Sequence, residues 1–267
     1  MFTRDDIFRQ LSAMNAPRDK VVIFHSSLRA IGEVEGRAEG LLEILIEYFT
    51  ARGGLLCIPA LTWKNIHDPS VITLDMPLRE SCIGTMPNIA ARHSKGHRSA
   101  NPTHSMVVFG EGAEEFIAGE AYLPTPVHPK GCYGKICDRG GFVLLAGVDH
   151  HANTVMHGVE ELLDVPNRFG ENPKPATVRF FDGTVIGWDM HYHYAKGIGD
   201  VSTRYPKYEP AFRYHGCITD GFLGSAHAQL CDAAKLRKVM TLIHQRSGGV
   251  ELLANTEPIE PALYTVK

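Results

Sequence analysis

The sequence predicts an α/β fold, on three observations. Short β-branched or apolar runs alternate with segments of helical apolar spacing. The run "GFVLLAGVDH" is apolar through its middle, as a strand buried on both faces must be. A turn signal at Asp182-Gly183 divides two alternating stretches. The first two features build strand–helix–strand units of a central, largely parallel sheet covered by helices, and the third adds an antiparallel hairpin. The 267 residues can bury one large core and no break in composition divides them, so residues 1–267 are read as a single domain.

The elements follow in order. Thr3 is placed to cap a helix over "RDDI", with two acidic residues in its positive first turn. "KVVIFHSSL" reads as a buried strand running into a polar turn, and "AEGLLEILIEYFTARGG" as an amphipathic helix stopped by a glycine pair. "LLCIPALTW" is a second strand. Lys64 to Glu80, rich in Pro and charge, has no period and reads as a long surface excursion. "GTMPNIAARHS" suits a helix with Pro87 in its first turn, "SMVVFG" a strand and "EGAEEFIAGE" a short helix. After the central strand and the hairpin, "SAHAQLCDAAKLRKVMTLIHQR" reads as one long amphipathic helix.

Net charge is −3 and the basic residues are scattered, so nucleic acid is not an expected partner. No apolar run approaches a membrane span and the N-terminus lacks the apolar core of a signal peptide, which points to a cytoplasmic protein without a membrane partner. Six dispersed cysteines without a CxxC pair suggest neither disulfides nor a thiolate zinc site. Oligomeric state is open; an exposed apolar patch would make a homodimer.

In open α/β sheets ligands bind beyond the carboxyl ends of the strands. Three loops at such ends, "HSSLRAIG", "ALTW" and "DHHANT", are rich in hydroxyls and imidazoles. They suit one cleft, although Ser26 and Ser27 equally suit a capped turn. His157 and Glu160 sit three apart on a predicted helix capped by Asn153 or Thr154, so the carboxylate can hold one imidazole nitrogen and leave the other free to take a proton. An ordinary surface pair is the alternative. His191 and His193 share a strand face and, with His150, His151 and His157, offer nitrogen ligands for zinc. "RSANPTHS" gathers Arg98, Ser99, His104 and Ser105, as a turn rigidified by Pro102 or as a phosphate- or amide-binding loop. Neither a G-x-x-x-x-G-K-[ST] loop nor a G-x-G-x-x-G turn is present, leaving nucleotide hydrolysis and dinucleotide redox unsupported.

Taken in order, "HSSLRAIGEVEG", "GGLLCIPALTW", "IGTMPN", "RSANPTHSMVVFGEGAEE", "HPKGCYGKI", "FVLLAGV" and "NTVMHGVEE" resemble the aminoglycoside 3-N-acetyltransferase family over roughly residues 5 to 245. The resemblance implies a three-layer α/β/α fold, acetyl-CoA in a cleft, and direct acetyl transfer to the 3-amino group of a deoxystreptamine ring. It makes His157 the general base and Glu160 its orienting carboxylate. It sets Ser26, Ser27 and Leu28 against the pantetheine and phosphates of acetyl-CoA, and Arg98, Ser99 and Ser105 along the cofactor. It gives Thr62 the role of hydrogen-bond donor to the developing oxyanion. A polycationic substrate wants acidic walls, for which Asp200, Glu209, Glu161 and Asp68 are candidates. The chain departs from the family's pattern at Asn88, where glutamate is usual, in "HPKGCYG", where the usual turn contains serine, and in the His-rich "DHHANT" and "HYHY".

The leading expectation is an acetyl-CoA-dependent N-acetyltransferase that acts on an aminoglycoside or on another small-molecule amine. A zinc-dependent hydrolase built on the histidines and a non-catalytic binder of an acyl-CoA or polyamine are the other readings. A covalent acetyl-cysteine route through Cys57 or Cys217 is not favoured, since no cysteine adjoins a motif histidine in sequence.

Overall fold

Thr3 begins the first helix, as its position predicts. In the computed structural model, which describes residues 1–266, its hydroxyl accepts from the Asp6 N–H while the Asp6 carboxylate accepts from the Thr3 N–H at 3.0 Å. This reciprocal capping box opens α1 (Arg4–Ala13). There follow β1 (Val21–Ser26), α2 (Leu28–Ile31), α3 (Arg37–Thr50), β2 (Leu55–Pro59), β3 (Leu74–Asp75), α4 (Thr85–Arg92), β4 (His97–Arg98) and β5 (Met106–Phe109). Next are α5 (Ala113–Ile117), α6 (Cys132–Asp138), β6 (Phe142–Ala146), α7 (Val155–Leu162), and the hairpin β7 (Lys174–Arg179) and β8 (Val185–Met190). The chain continues through α8 (Glu209–Tyr214), β9 (Ile218–Leu223), β10 (Ala226–Asp232) and α9 (Ala233–Arg246).

Seven strands form the main sheet in the order β4-β5-β2-β1-β6-β10-β9. Its burial explains the layers. Val21, Ile23, Leu55, Cys57, Val143 and Leu145 point to one face, where they meet α6, α7 and α9. Their neighbours Val22, Phe24, Leu56, Ile58, Leu144 and Ala146 point to the other, against α1, α3 and α4. Period-2 alternation with both faces apolar is why these strands read as continuous apolar runs, and it yields the α/β/α sandwich.

The expectation of a largely parallel sheet holds only at its centre. β2, β1 and β6 are parallel, whereas β5 and β4 on one side and β10 and β9 on the other are added antiparallel. The cause on the second side is the segment read as one long helix. Its first third is strand β10, hydrogen-bonded to both β6 and β9, and the helix begins only after Asp232, whose side chain accepts from the Lys235 N–H. Extended pairing on two edges outweighs helical spacing there.

The hairpin forms as predicted, with Gly183 at φ 88° and the Asp182 carboxylate accepting from the Thr184 N–H at 2.9 Å. It belongs to a second, three-stranded sheet, β3-β7-β8. That corrects the reading of residues 64–80 as a mere surface excursion: Leu74 and Met76 are buried against Val178, and β3 runs parallel to β7.

Candidate active site

The carboxyl ends of the parallel strands β1, β2 and β6 meet at one cleft of about 600 Å³. Ser26 leaves β1, Leu61 and Trp63 follow β2, and Val148, His151, Ala152 and Thr154 follow β6; all line it. The close approach of these loops requires Gly147, at φ 68°, where a β-carbon would lie 2.4 Å from that of Ala30. Residues 192–195 and 199–202 close the opposite side.

His157 lies on the cleft wall, three residues before buried Glu160 on α7, and no direct hydrogen bond joins the two. Tyr205 stands between them. Its hydroxyl is 2.7 Å from His157 Nδ1 and donates to Glu160 Oε2 at 2.6 Å. Burial and the neighbouring Glu160 hold the Tyr205 phenol well above its ordinary range, so it keeps its proton. A phenol has one proton to give. With that proton committed to the carboxylate, the phenol oxygen accepts from Nδ1–H, and Nε2 becomes the basic nitrogen on the cleft side. The predicted His–Glu pair is therefore a His–Tyr–Glu chain.

Glu160 is anchored in turn by Arg168, whose guanidinium donates to Oε1 at 2.9 Å and to Glu251 Oε2 at 2.6 Å. Burial pushes the Glu160 carboxyl up; the Arg168 ion pair and the Tyr205 hydrogen bond oppose that shift. His157 is held well below its ordinary value, first by burial and then by His193, His104, Arg168 and His151. It is thus neutral at neutral pH, with the lone pair of one ring nitrogen free. His193 stacks on it at 4.4 Å between ring centroids, and His104 packs edge-on to His193 at 4.8 Å. Burial lowers His193 to about 4.

The other predicted residues divide. Ser26 and Asp200 line the cleft. Ser27 caps α2 by accepting from the Ala30 N–H at 3.3 Å, and Leu28 is the first residue of that helix. Thr154 occupies the start of α7 without a capping hydrogen bond, and Asn153 bonds His150 instead, so neither caps the helix as expected.

Several candidates are occupied elsewhere. Thr62 is buried and donates to the Pro102 carbonyl at 2.6 Å, outside the cleft lining. Arg98 is buried, donating to Ser105 Oγ and to the carbonyls of Ala60 and Glu80; Ser105 donates to Ala60, and Ser99 Oγ accepts from the Met106 N–H. This trio ties loops beside β5 together and does not line the cleft. Glu209 accepts from Arg213 and Gln229, and Glu161 accepts from the Thr125 hydroxyl; neither lines the cleft. Asp68 caps its own turn at Ser70. Asn88, the departure from the family pattern, braces the start of α4 by accepting from the Ser81 N–H and donating to the Ser81 and Gly84 carbonyls.

The histidines do not converge as a zinc set. His150 is buried against Phe212 and Asn153, and His191 faces the Gly170 carbonyl at 2.9 Å, because the chain leaves β8 at Met190 and the assumed strand face ends there. Only His151, His157 and His193 of that set line the cleft. Among the described residues no group of three His, Cys, Asp or Glu side chains is placed to hold a metal ion. Cys57 and Cys217 are buried, and burial raises both thiols, Cys217 to about 11.

Sequence reasoning missed Tyr205 and Arg168, and placed His104 only in the 98–105 loop. The first two act on Glu160 from 45 and 8 residues away, and no local period marks them.

Residues 23–243 match the family described as aminoglycoside 3-N-acetyltransferase. The chain belongs to the aminoglycoside 3-N-acetyltransferase family. Aminoglycoside N(3)-acetyltransferase VII of Streptomyces paromomycinus is 26% identical over 86% of this chain and 87% of its own. Aminoglycoside N(3)-acetyltransferase IV of Salmonella sp is 30% identical over 60% of this chain and 59% of its own, so the match spans less than two thirds of that relative. The fold is that of solved family structures. Aminoglycoside acetyltransferase AAC(3)-Xa superposes with a TM-score of 0.75 at 21% identity, covering 88% of this chain and 90% of that one. A variant of AAC(3)-IVa in complex with apramycin gives 0.73 at 21%, covering 94% of each chain. No helix among the described residues is long and apolar enough to cross a membrane.

Proposed function

We propose that residues 1–267 form one acetyltransferase domain that transfers acetyl from acetyl-CoA directly to a primary amine of a small molecule. The observation that carries this reading is the His157–Tyr205–Glu160 chain on the wall of a cleft at the carboxyl ends of β1, β2 and β6. The deoxystreptamine 3-amino group is the acceptor that the family resemblance indicates. An acetyl-CoA-dependent reaction fits a cytoplasmic enzyme.

The amine nitrogen must hold a free lone pair to attack the thioester carbon. His157 Nε2 takes a proton from it as the new C–N bond forms, and Nδ1–H, donating to Tyr205, spreads the imidazolium charge toward Glu160. The tetrahedral intermediate collapses with cleavage of the C–S bond, and the proton on Nε2 passes to the departing thiolate. The products are an amide and free CoA, with His157 neutral again. With Thr62 engaged at Pro102, the hydroxyls of Ser26 and Thr154 at the carboxyl ends of β1 and β6 are candidate donors to the acetyl oxygen. The buried thiols of Cys57 and Cys217 support direct transfer over an acetyl-cysteine intermediate.

Mixing the protein with acetyl-CoA in the presence of a chelator, with and without amine, tests this. The expected result is free thiol in one-to-one ratio with amide only when amine is present, and no acetylated protein by mass spectrometry. A stable acetyl-protein adduct, or turnover abolished by chelator, contradicts direct transfer.

A further inference from the structure

Among the described residues, one carboxylate lines the cleft, that of Asp200. Its Oδ1 already accepts from the Ser202 N–H and hydroxyl, and Oδ2 lies 3.5 Å from His151 Nε2. The remaining walls are largely apolar or aromatic, with Ile66, Ile83 and Met86 beside Trp63, Tyr192 and Tyr194, and with imidazoles and the hydroxyls of Ser26, Thr103, Thr154 and Ser202 between them. Trp63 and Tyr194 are 41% and 52% exposed, leaving aromatic faces open to a ligand. The cationic groups nearby add no room for positive charge. Arg168 lines the cleft with its guanidinium paired to Glu160 and Glu251, and Lys174 Nζ sits 2.8 Å from His67 Nδ1 and 4.5 Å from the centre of the Tyr192 ring.

A deoxystreptamine antibiotic brings several ammonium groups. Each one that enters an apolar cleft without an anion loses hydration that nothing restores. An amine with a single nitrogen carries no charge beyond its reacting group, which must in any case enter neutral; the proton released as the C–N bond forms passes to His157. Its apolar or aromatic body recovers free energy against Trp63 and its neighbours. We propose, resting on the acetyl-transfer reading above, that the preferred acceptor is a primary monoamine on an apolar or aromatic body, rather than a polycationic aminoglycoside.

The test compares kcat/KM for thiol release from acetyl-CoA across three acceptors: phenethylamine, kanamycin and spermidine. Acetyl-CoA binding is measured separately by calorimetry. The expected result is a kcat/KM for phenethylamine about a hundredfold above both polycations, consistent with the desolvation of uncompensated charge. Trp63→Ala should lower the phenethylamine value about tenfold and with it the phenethylamine-to-kanamycin ratio. Ile83→Glu, which supplies an anion at the cleft wall, should raise the kanamycin-to-phenethylamine ratio about threefold. Kanamycin or spermidine as the better acceptor overturns the inference and leaves acetyl transfer standing, and an unchanged ratio in Ile83→Glu contradicts charge as the discriminator. Binding of acetyl-CoA with no turnover of any amine overturns both.

Discussion

Tyr205 decides which nitrogen of His157 is the base. Its hydroxyl separates the imidazole from Glu160, and because it donates to the carboxylate it can only accept from Nδ1. Tyr205→Phe keeps the ring and removes this link, so Nδ1–H loses its acceptor and the tautomer is no longer set. The expected outcome is a fall in kcat of about tenfold or more with an unchanged dissociation constant for acetyl-CoA, checked by steady-state thiol release and calorimetry. At this scale the reactive residues were legible in part. His157 and Glu160 share a local helical period, which sequence displays, and Ser26 follows a recognisable strand. Tyr205 joins them across 48 and 45 residues, a juxtaposition made only by tertiary folding. Arg98, Ser99 and Ser105 have the residue types of a ligand loop, yet Arg98 Nε and Nη2 and both serine hydroxyls close on backbone and on one another, and sequence does not distinguish the two uses.

At the scale of the element, α1 shows how much local chemistry sets a boundary. Both halves of its capping box are present, and Thr3→Ala removes the hydroxyl that accepts from the Asp6 N–H. The expected loss is about 1 kcal/mol, seen as a lower denaturant midpoint with an unchanged slope. Strands of the central sheet were equally legible, since burial on both faces makes them apolar throughout. β10 was not. Its residues carry the spacing of an amphipathic helix, and its extended form depends on β6 and β9, which supply hydrogen bonds along both edges. The short β3 is a similar case, a two-residue strand whose reason to exist is the hairpin beside it.

For the whole molecule, the histidines buried as neutral groups weaken acid stability, against an opposite contribution from Glu161, which burial raises to about 7. Burial lowers His25 to about 3 and His150 to about 4, and holds His104 well below its usual range. A histidine whose folded value lies below its unfolded value of about 6.5 contributes stability that is fully present above pH ~6.5. As pH falls below that value the unfolded chain binds the proton first, and the contribution disappears progressively toward the folded value. Each such group then costs about 1 kcal/mol per pH unit. Denaturant unfolding at pH 7.5, 6.5, 5.5 and 4.5 should show stability steady over the first interval and falling steeply through the last two. A flat profile down to pH 4.5 would contradict neutral burial of these side chains. The overall architecture was largely visible in the order of motifs, because the layered α/β arrangement follows from where apolar runs and helical periods occur. The direction of the flanking strands and the occupants of the cleft's far wall were not, since both depend on how distant segments return to the sheet.

The central claim is that a neutral His157, oriented through Tyr205, accepts the proton of the attacking amine. Thiol release from acetyl-CoA by the wild type and by His157→Ala, with acetyl-CoA binding measured on both, tests it most directly. The account predicts a loss in kcat of about a hundredfold to ten-thousandfold at unchanged cofactor affinity. Turnover in His157→Ala within a few-fold of wild type would contradict it.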